Sequence, residues 1–293
     1  MSNDLDGIFG CATMGGMATK ARKHENNAAI FFRAVVVSWL FSALWGSVAN
    51  AADDPLARAR LLYNQRQFEA AVTAAEQARL TPARADAADL VAARAYLERF
   101  RASATSDDLT NARDRLRRLN PQRFGPRERA EYVVGLGETL YFDGAFGAAA
   151  TVFDTVLQSR DALEGAARER LLDWWATATD REAKPRPDIE RHVAYQRIRG
   201  RMEEELATHP SSGPAAYWLA AAARAQGDLQ AAWDAAQAGW VRAPLAADRG
   251  AALRADIDEL VLRAIVPDRA KATAQPPESL RAEWERFKER WRP

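Results

Sequence analysis

Residues Ala130 to Gln158 read AEYVVGLGETLYFDGAFGAAATVFDTVLQ. Leu136 and Leu140 fall on one helical face, and Phe146, Ala149 and Phe153 on another, because residues three or four apart share a side of an α-helix. Gly144 separates the two runs with a residue that tolerates the left-handed backbone ending a helix. Two short antiparallel helices follow. Gly137 and Ala149 are small for a physical reason: where helices cross closely, a larger side chain has no room.

The same steps recur near the C-terminus, in Leu219-Ala220, Gly227, Leu229, Ala232, Ala236 and Pro244. The intervals Ala220 to Gly227 to Ala232 equal those from Gly137 to Gly144 to Ala149. A third unit has Ala59, Leu62, Phe68, Ala71, Ala75 and Ala78, with Arg66 where the turn glycine is expected. One period of 34 residues after Ala59 falls on Ala93, with Leu90 and Tyr96 alongside; Leu109, Ala112, Leu116 and Leu119 follow in a second helix. Between the two best units lies a divergent pair, with Leu171, Trp174, Trp175 and Ala178 in one helix and Tyr195, Ile198, Met202 and Leu206 in the next. Lys184-Pro185-Arg186-Pro187 separates them and cannot continue a helix.

At these residues the chain resembles the tetratricopeptide repeat family: a large-small pair, a glycine turn with an aromatic two residues on, then an alanine. Periodicity alone predicts an all-α protein, since alternating apolar and polar runs are scarce. The resemblance implies an α-α superhelix, a solenoid of about five helix pairs over residues 52–266. A linker and capping helix are expected over 267–293. Leu253, Ile257, Leu260, Val261 and Ile265 make one further apolar face, and Leu280, Trp284, Phe287 and Trp291 another after Pro276-Pro277. Terminal helices of stacked repeats cover the exposed end of the core.

Residues 1–51 read as leader and signal peptide. Lys20, Arg22, Lys23 and Arg33 precede the apolar run Ala34 to Val48, and Ala49-Asn50-Ala51 supplies a small-residue cleavage site. The expectation is export to the periplasm or beyond, with membrane tethering only if the signal stays uncleaved. Cys11 is the single cysteine, so disulfides and thiolate chemistry are excluded from residue 52 onward. The remaining 37 basic and 37 acidic residues balance. That neutrality and the acids beside Arg113, Arg115, Arg117 and Arg118 weigh against a nucleic-acid partner.

Catalytic motifs are missing. His192 and His209 are seventeen residues apart with no ligand cluster beside them, so neither a metal nor another cofactor is expected. No serine sits in a nucleophile elbow. Glu203-Glu204-Glu205 reads as a solvated face, because consecutive helical residues diverge by about 100°. Ser211 and Ser212 are expected to cap the next helix, and Trp174-Trp175 to pack in the core.

The resemblance implies that first helices of successive pairs line a groove for a peptide or partner protein. The candidate binding residues are Arg60, Tyr63 and Asn64 in the first unit, Arg94 and Glu98 in the next, Glu138, Tyr141 and Phe142 in the best one, and Tyr217 and Arg224 near the C-terminus. Lengthened connections after Phe100 and Asp180 break a smooth groove and could fill it. The expected role is an exported scaffold for protein or peptide binding, not an enzyme. The alternative is an all-helical envelope enzyme or glycan-binding protein acting on cell-wall material, suggested by tryptophans and carboxylates.

Overall fold

The computed structural model describes residues 54–159, 163, 165–246 and 248–292. The leader, the signal segment and Cys11 lie outside the described residues. Among the described residues there are twelve helices and no strand. Five successive pairs are α1 (Pro55–Asn64) with α2 (Phe68–Arg79), α3 (Ala85–Ser103) with α4 (Ser106–Leu116), α5 (Pro126–Phe142) with α6 (Phe146–Gln158), α7 (Gly165–Ala183) with α8 (Asp188–Thr208), and α9 (Gly213–Ala225) with α10 (Leu229–Arg242). The helix α11 runs from Ala251–Leu260 through a π turn at Val261–Ile265 into Val266–Thr273, and α12 is Pro277–Arg290. None of these helices is long and apolar enough to cross a membrane.

Consecutive helices pack on one another, and α1 also meets α3, α3 meets α5, α7 meets α9, and α9 meets α11. First helices thus run side by side in most of the stack. One continuous core joins Ala130 to Phe287, with Trp175 fully enclosed and Trp174 nearly so. Smaller clusters around Leu97, Leu116 and Ala92 fill the N-terminal pairs.

Three of the turns between paired helices share one geometry. Gly144 and Gly227 have φ of +80° and +79°, and Arg66 occupies the same place at +61°. The hydrogen bonds match as well: the Gly144, Gly227 and Arg66 amides donate to Tyr141, Arg224 and Tyr63, and the next amide donates to Leu140, Ala223 and Leu62. All three close the first helix as a left-handed C-terminal cap. Ser212 caps α9, its hydroxyl accepting from the Ala215 amide at 3.4 Å.

Gly137 is where α5 and α6 touch. A Cβ there would lie 2.3 Å from Cε1 of Phe153, a ring with no exposed surface. Gly137→Ala is therefore expected to cost about 1–2 kcal/mol, overpacking outweighing the helix propensity gained. Gly200 in α8 meets nothing within 4 Å, so Gly200→Ala should instead add about 0.5–1 kcal/mol. Urea unfolding of both variants checks the pair, and equal shifts would contradict the crossing argument.

Three expectations change. Residue 266 is not a boundary: the helix passes through Pro267, the missing amide and bulky ring being accommodated behind the π turn at Val261–Ile265. The extra length after Phe100 is helix rather than loop, since α3 reaches Ser103. Glu205 is not solvated. It is 5% exposed and gripped by Arg168 through two bonds of 2.9 and 2.8 Å, while Glu203 and Glu204 face solvent.

Candidate functional site

The stack frames a partly open cavity of about 370 Å³, within the range of small-ligand sites. Its walls come from far-apart parts of the chain. The end of α1, the turn after it and the start of α2 contribute Tyr63, Asn64, Arg66 and Phe68, and α3 contributes Glu98 and Arg101. Glu169, Arg170 and Asp173 come from α7, and Tyr217 from α9. The opposite side is formed by Asp248, Ala252, Leu253 and Asp256, from the start of α11 and the residues before it.

Charge is segregated across this space. Helical spacing lets α7 face both ways: Arg170 lies 3.7 Å from Glu98 of α3, while Asp173 accepts 2.8 Å from the Trp218 indole of α9. Glu98 is also paired with Arg101 one turn on. The N-terminal wall therefore carries three arginines against one lining carboxylate. The C-terminal wall carries four carboxylates, of which Asp248 caps α11 by accepting from the Gly250 and Ala252 amides at 2.8 and 2.9 Å.

Burial leaves three of these acids, Asp256, Asp173 and Glu169, hard to ionise. The Asp256 carboxyl is pushed up to about 7 by burial and then by the nearby charges of Asp173, Glu259 and Asp248. Asp173 is raised by burial, which the Trp218 hydrogen bond only partly offsets. Glu169 is raised by burial against the pull of the Gly213 amide. Behind the opposite wall, burial and then Glu98 bring Glu138 up to about 7. Burial likewise carries the Tyr63 hydroxyl to about 12, although Arg94 sits 4.5 Å over its ring and opposes the rise.

Of the ten residues singled out from sequence, Tyr63, Asn64, Glu98 and Tyr217 line the cavity. Arg94 and Glu138 stand behind that wall; Arg94 stacks on Tyr63 and pairs with Glu131 at 2.9 Å. Arg60 is drawn outward to Glu128 at 2.6 Å. Tyr141 and Phe142 correct the expectation of an open groove here. Tyr141 is buried edge-on against Trp174 and Phe146, and Phe142 is wedged between Phe100 and Trp174. Arg224 leaves the groove for Asp268 of α11 at 2.8 Å.

Sequence reasoning missed the acidic wall and all three lining arginines, Arg101 and Arg170 outright and Arg66 by reading it only as a turn residue. Glu169 and Asp173 are four apart on the polar side of α7, and Asp256 lies off the apolar face of α11; that pairing of faces was the available signal. The arginines near Leu116 are engaged in ion pairs: Arg115 with Glu76 and Asp89, Arg113 with Asp143 and Arg117 with Asp114. Among the described residues, no group of three histidines, cysteines or carboxylates is placed to hold a metal ion. Comparison with protein-family models, curated proteins and solved structures finds no match to this chain.

Proposed function

We propose that the chain is an exported binding scaffold, a tetratricopeptide-like superhelix that receives a peptide or a segment of a partner protein in its cavity. The observation that carries this reading is the shared cavity itself: the first helices α1, α3, α7 and α9, joined by α11, turn aromatic and charged side chains onto one space. Such a mixture suits peptide recognition, with rings supplying contact area and charges fixing register. Export rests on the ordered basic, apolar and small-residue segments ahead of Ala52.

Selection of displayed peptides on the immobilised protein tests the scaffold reading. Recovered peptides are expected to bind saturably and to lose about tenfold or more with Tyr217→Ala, an anchor-sized effect. Peptides that bind equally well without Tyr217, or no recovery at all, would count against it.

A second reading has its own observation. Asp256, held near 7 beside Asp173, has the proton affinity that a general acid needs. An enzyme or glycan-binding protein acting on cell-wall material would sediment with purified wall or release soluble fragments from it. Failure to sediment together with failure to release fragments would remove this reading.

A further inference from the structure

We propose that the cavity holds a short peptide by both of its ends, the free α-ammonium against Glu169, Asp173 and Asp256 and the free α-carboxylate against Arg66 and Arg170. The inference deepens the scaffold reading and rests on it.

The segregation of charge is the first argument. Among the described residues, none of Glu169, Asp173 and Asp256 forms an ion pair: Asp173 accepts from the Trp218 indole, and His209, whose charge acts on Glu169, is itself paired with Glu205. Carboxylates so placed lack a cation, and an ammonium group supplies one. The arginine wall is the converse, with Glu98 as its one lining carboxylate. A ligand charged at both ends satisfies both walls together. A three-residue peptide reaches roughly 10 Å when extended, and Tyr63, Phe68 and Tyr217 offer rings to its middle.

Arg66 is the second, independent argument. Its counterparts in two other pairs are glycines, yet it holds the same left-handed backbone at φ +61°. A side chain there costs about 1 kcal/mol relative to glycine. The same backbone occurs at Ala104, Arg249 and Ala274, so what distinguishes Arg66 is its place on the cavity wall. Arg66 is exposed at the cavity wall and forms no ion pair among the described residues.

Binding should be linked to protons. An ammonium beside Asp256 favours its ionised form, so the ligand displaces a proton and affinity rises from about pH 5.5 to about 7.5. The groups facing Asp256 are Asp173 from α7, Tyr217 from α9, Asp248 before α11 and Glu259 on its own helix, all neutral or acidic. Above about pH 8 the peptide amine itself loses its proton and affinity falls again.

Isothermal titration calorimetry with di-, tri- and tetra-alanine decides the matter, each with free ends, N-acetylated or C-amidated. At least one free-ended length is expected to bind, and either cap should weaken it about tenfold or more. Asp256→Asn should flatten the rise with pH. Arg66→Gly should weaken binding about threefold to tenfold while raising the thermal midpoint, which separates lost recognition from lost folding. No saturable heat from any free-ended length, or capped peptides binding as tightly as free ones, overturns the proposal. If displayed peptides still bind through Tyr217 while the alanine series does not, only the two-ended mode is lost. If neither binds, the scaffold reading goes with it.

Discussion

Trp284→Ala is expected to lower the unfolding free energy by about 3–5 kcal/mol, the range for truncating a large buried aromatic. Trp284 has no exposed surface; it stacks on Phe287 at 5.4 Å and meets Trp233 and Trp240 edge-on at 5.7 and 5.6 Å. Its indole donates to Asp258 at 2.8 Å, so truncation also removes a bond between α12 and α11. The loss falls where α12 covers the apolar surface of α10 and α11. A fall of roughly 6–20 °C in the melting midpoint follows from the size of the domain. Trp291, half exposed at 52%, serves as the control, and Trp291→Ala should change stability by less than about 0.5 kcal/mol. Equal losses from the two tryptophans would show that the cap does not matter.

Arg168→Met is expected to cost a similar amount, about 3–5 kcal/mol near neutral pH, because it takes from a buried carboxylate the partner that makes two hydrogen bonds to it. Burial alone would raise the Glu205 carboxyl, but the Arg168 hydrogen bonds and charge outweigh it and hold the group below the usual carboxylate range, with help from His209 and Arg201. A carboxyl depressed in the folded state contributes stability above its unfolded value and loses that contribution as pH falls through the folded one. The gap between wild type and variant should therefore be widest near pH 7 and shrink toward about pH 4. Urea unfolding across that range checks the slope. A gap independent of pH would mean that Arg168 acts through packing, not charge.

How much of this was legible in the sequence depends on the distance over which each feature is decided. The close crossing at Gly137 was readable because it lies within one helix pair, although the ring it meets, Phe153, was not. The turn at Arg66 was readable from its interval to Ala59 and Ala71, although its left-handed backbone was not. The cavity is another matter. Tyr63, Tyr141 and Arg224 each stand three residues before a left-handed turn, yet one lines the cavity, one is buried and one pairs with Asp268. What separates them is the neighbour opposite: Trp174 covers Tyr141, and α11 supplies the acid to Arg224. Such neighbours follow from how the helix pairs stack, which no single pair encodes. The acidic wall was hidden for a related reason, since Glu169 and Asp173 belong to the pair whose repeat signature is weakest.

The walls of the cavity reach from the first helix to the eleventh, although each helix is braced mainly by those beside it. Loosening at either end would dismantle the site before the middle of the stack gave way. Conversely, a molecule seated between Arg66 and Asp256 would clasp the two ends across open space and add a long-range tie to a chain of local ones. An occupied protein should then melt as a single unit, whereas the empty one is free to peel from its ends.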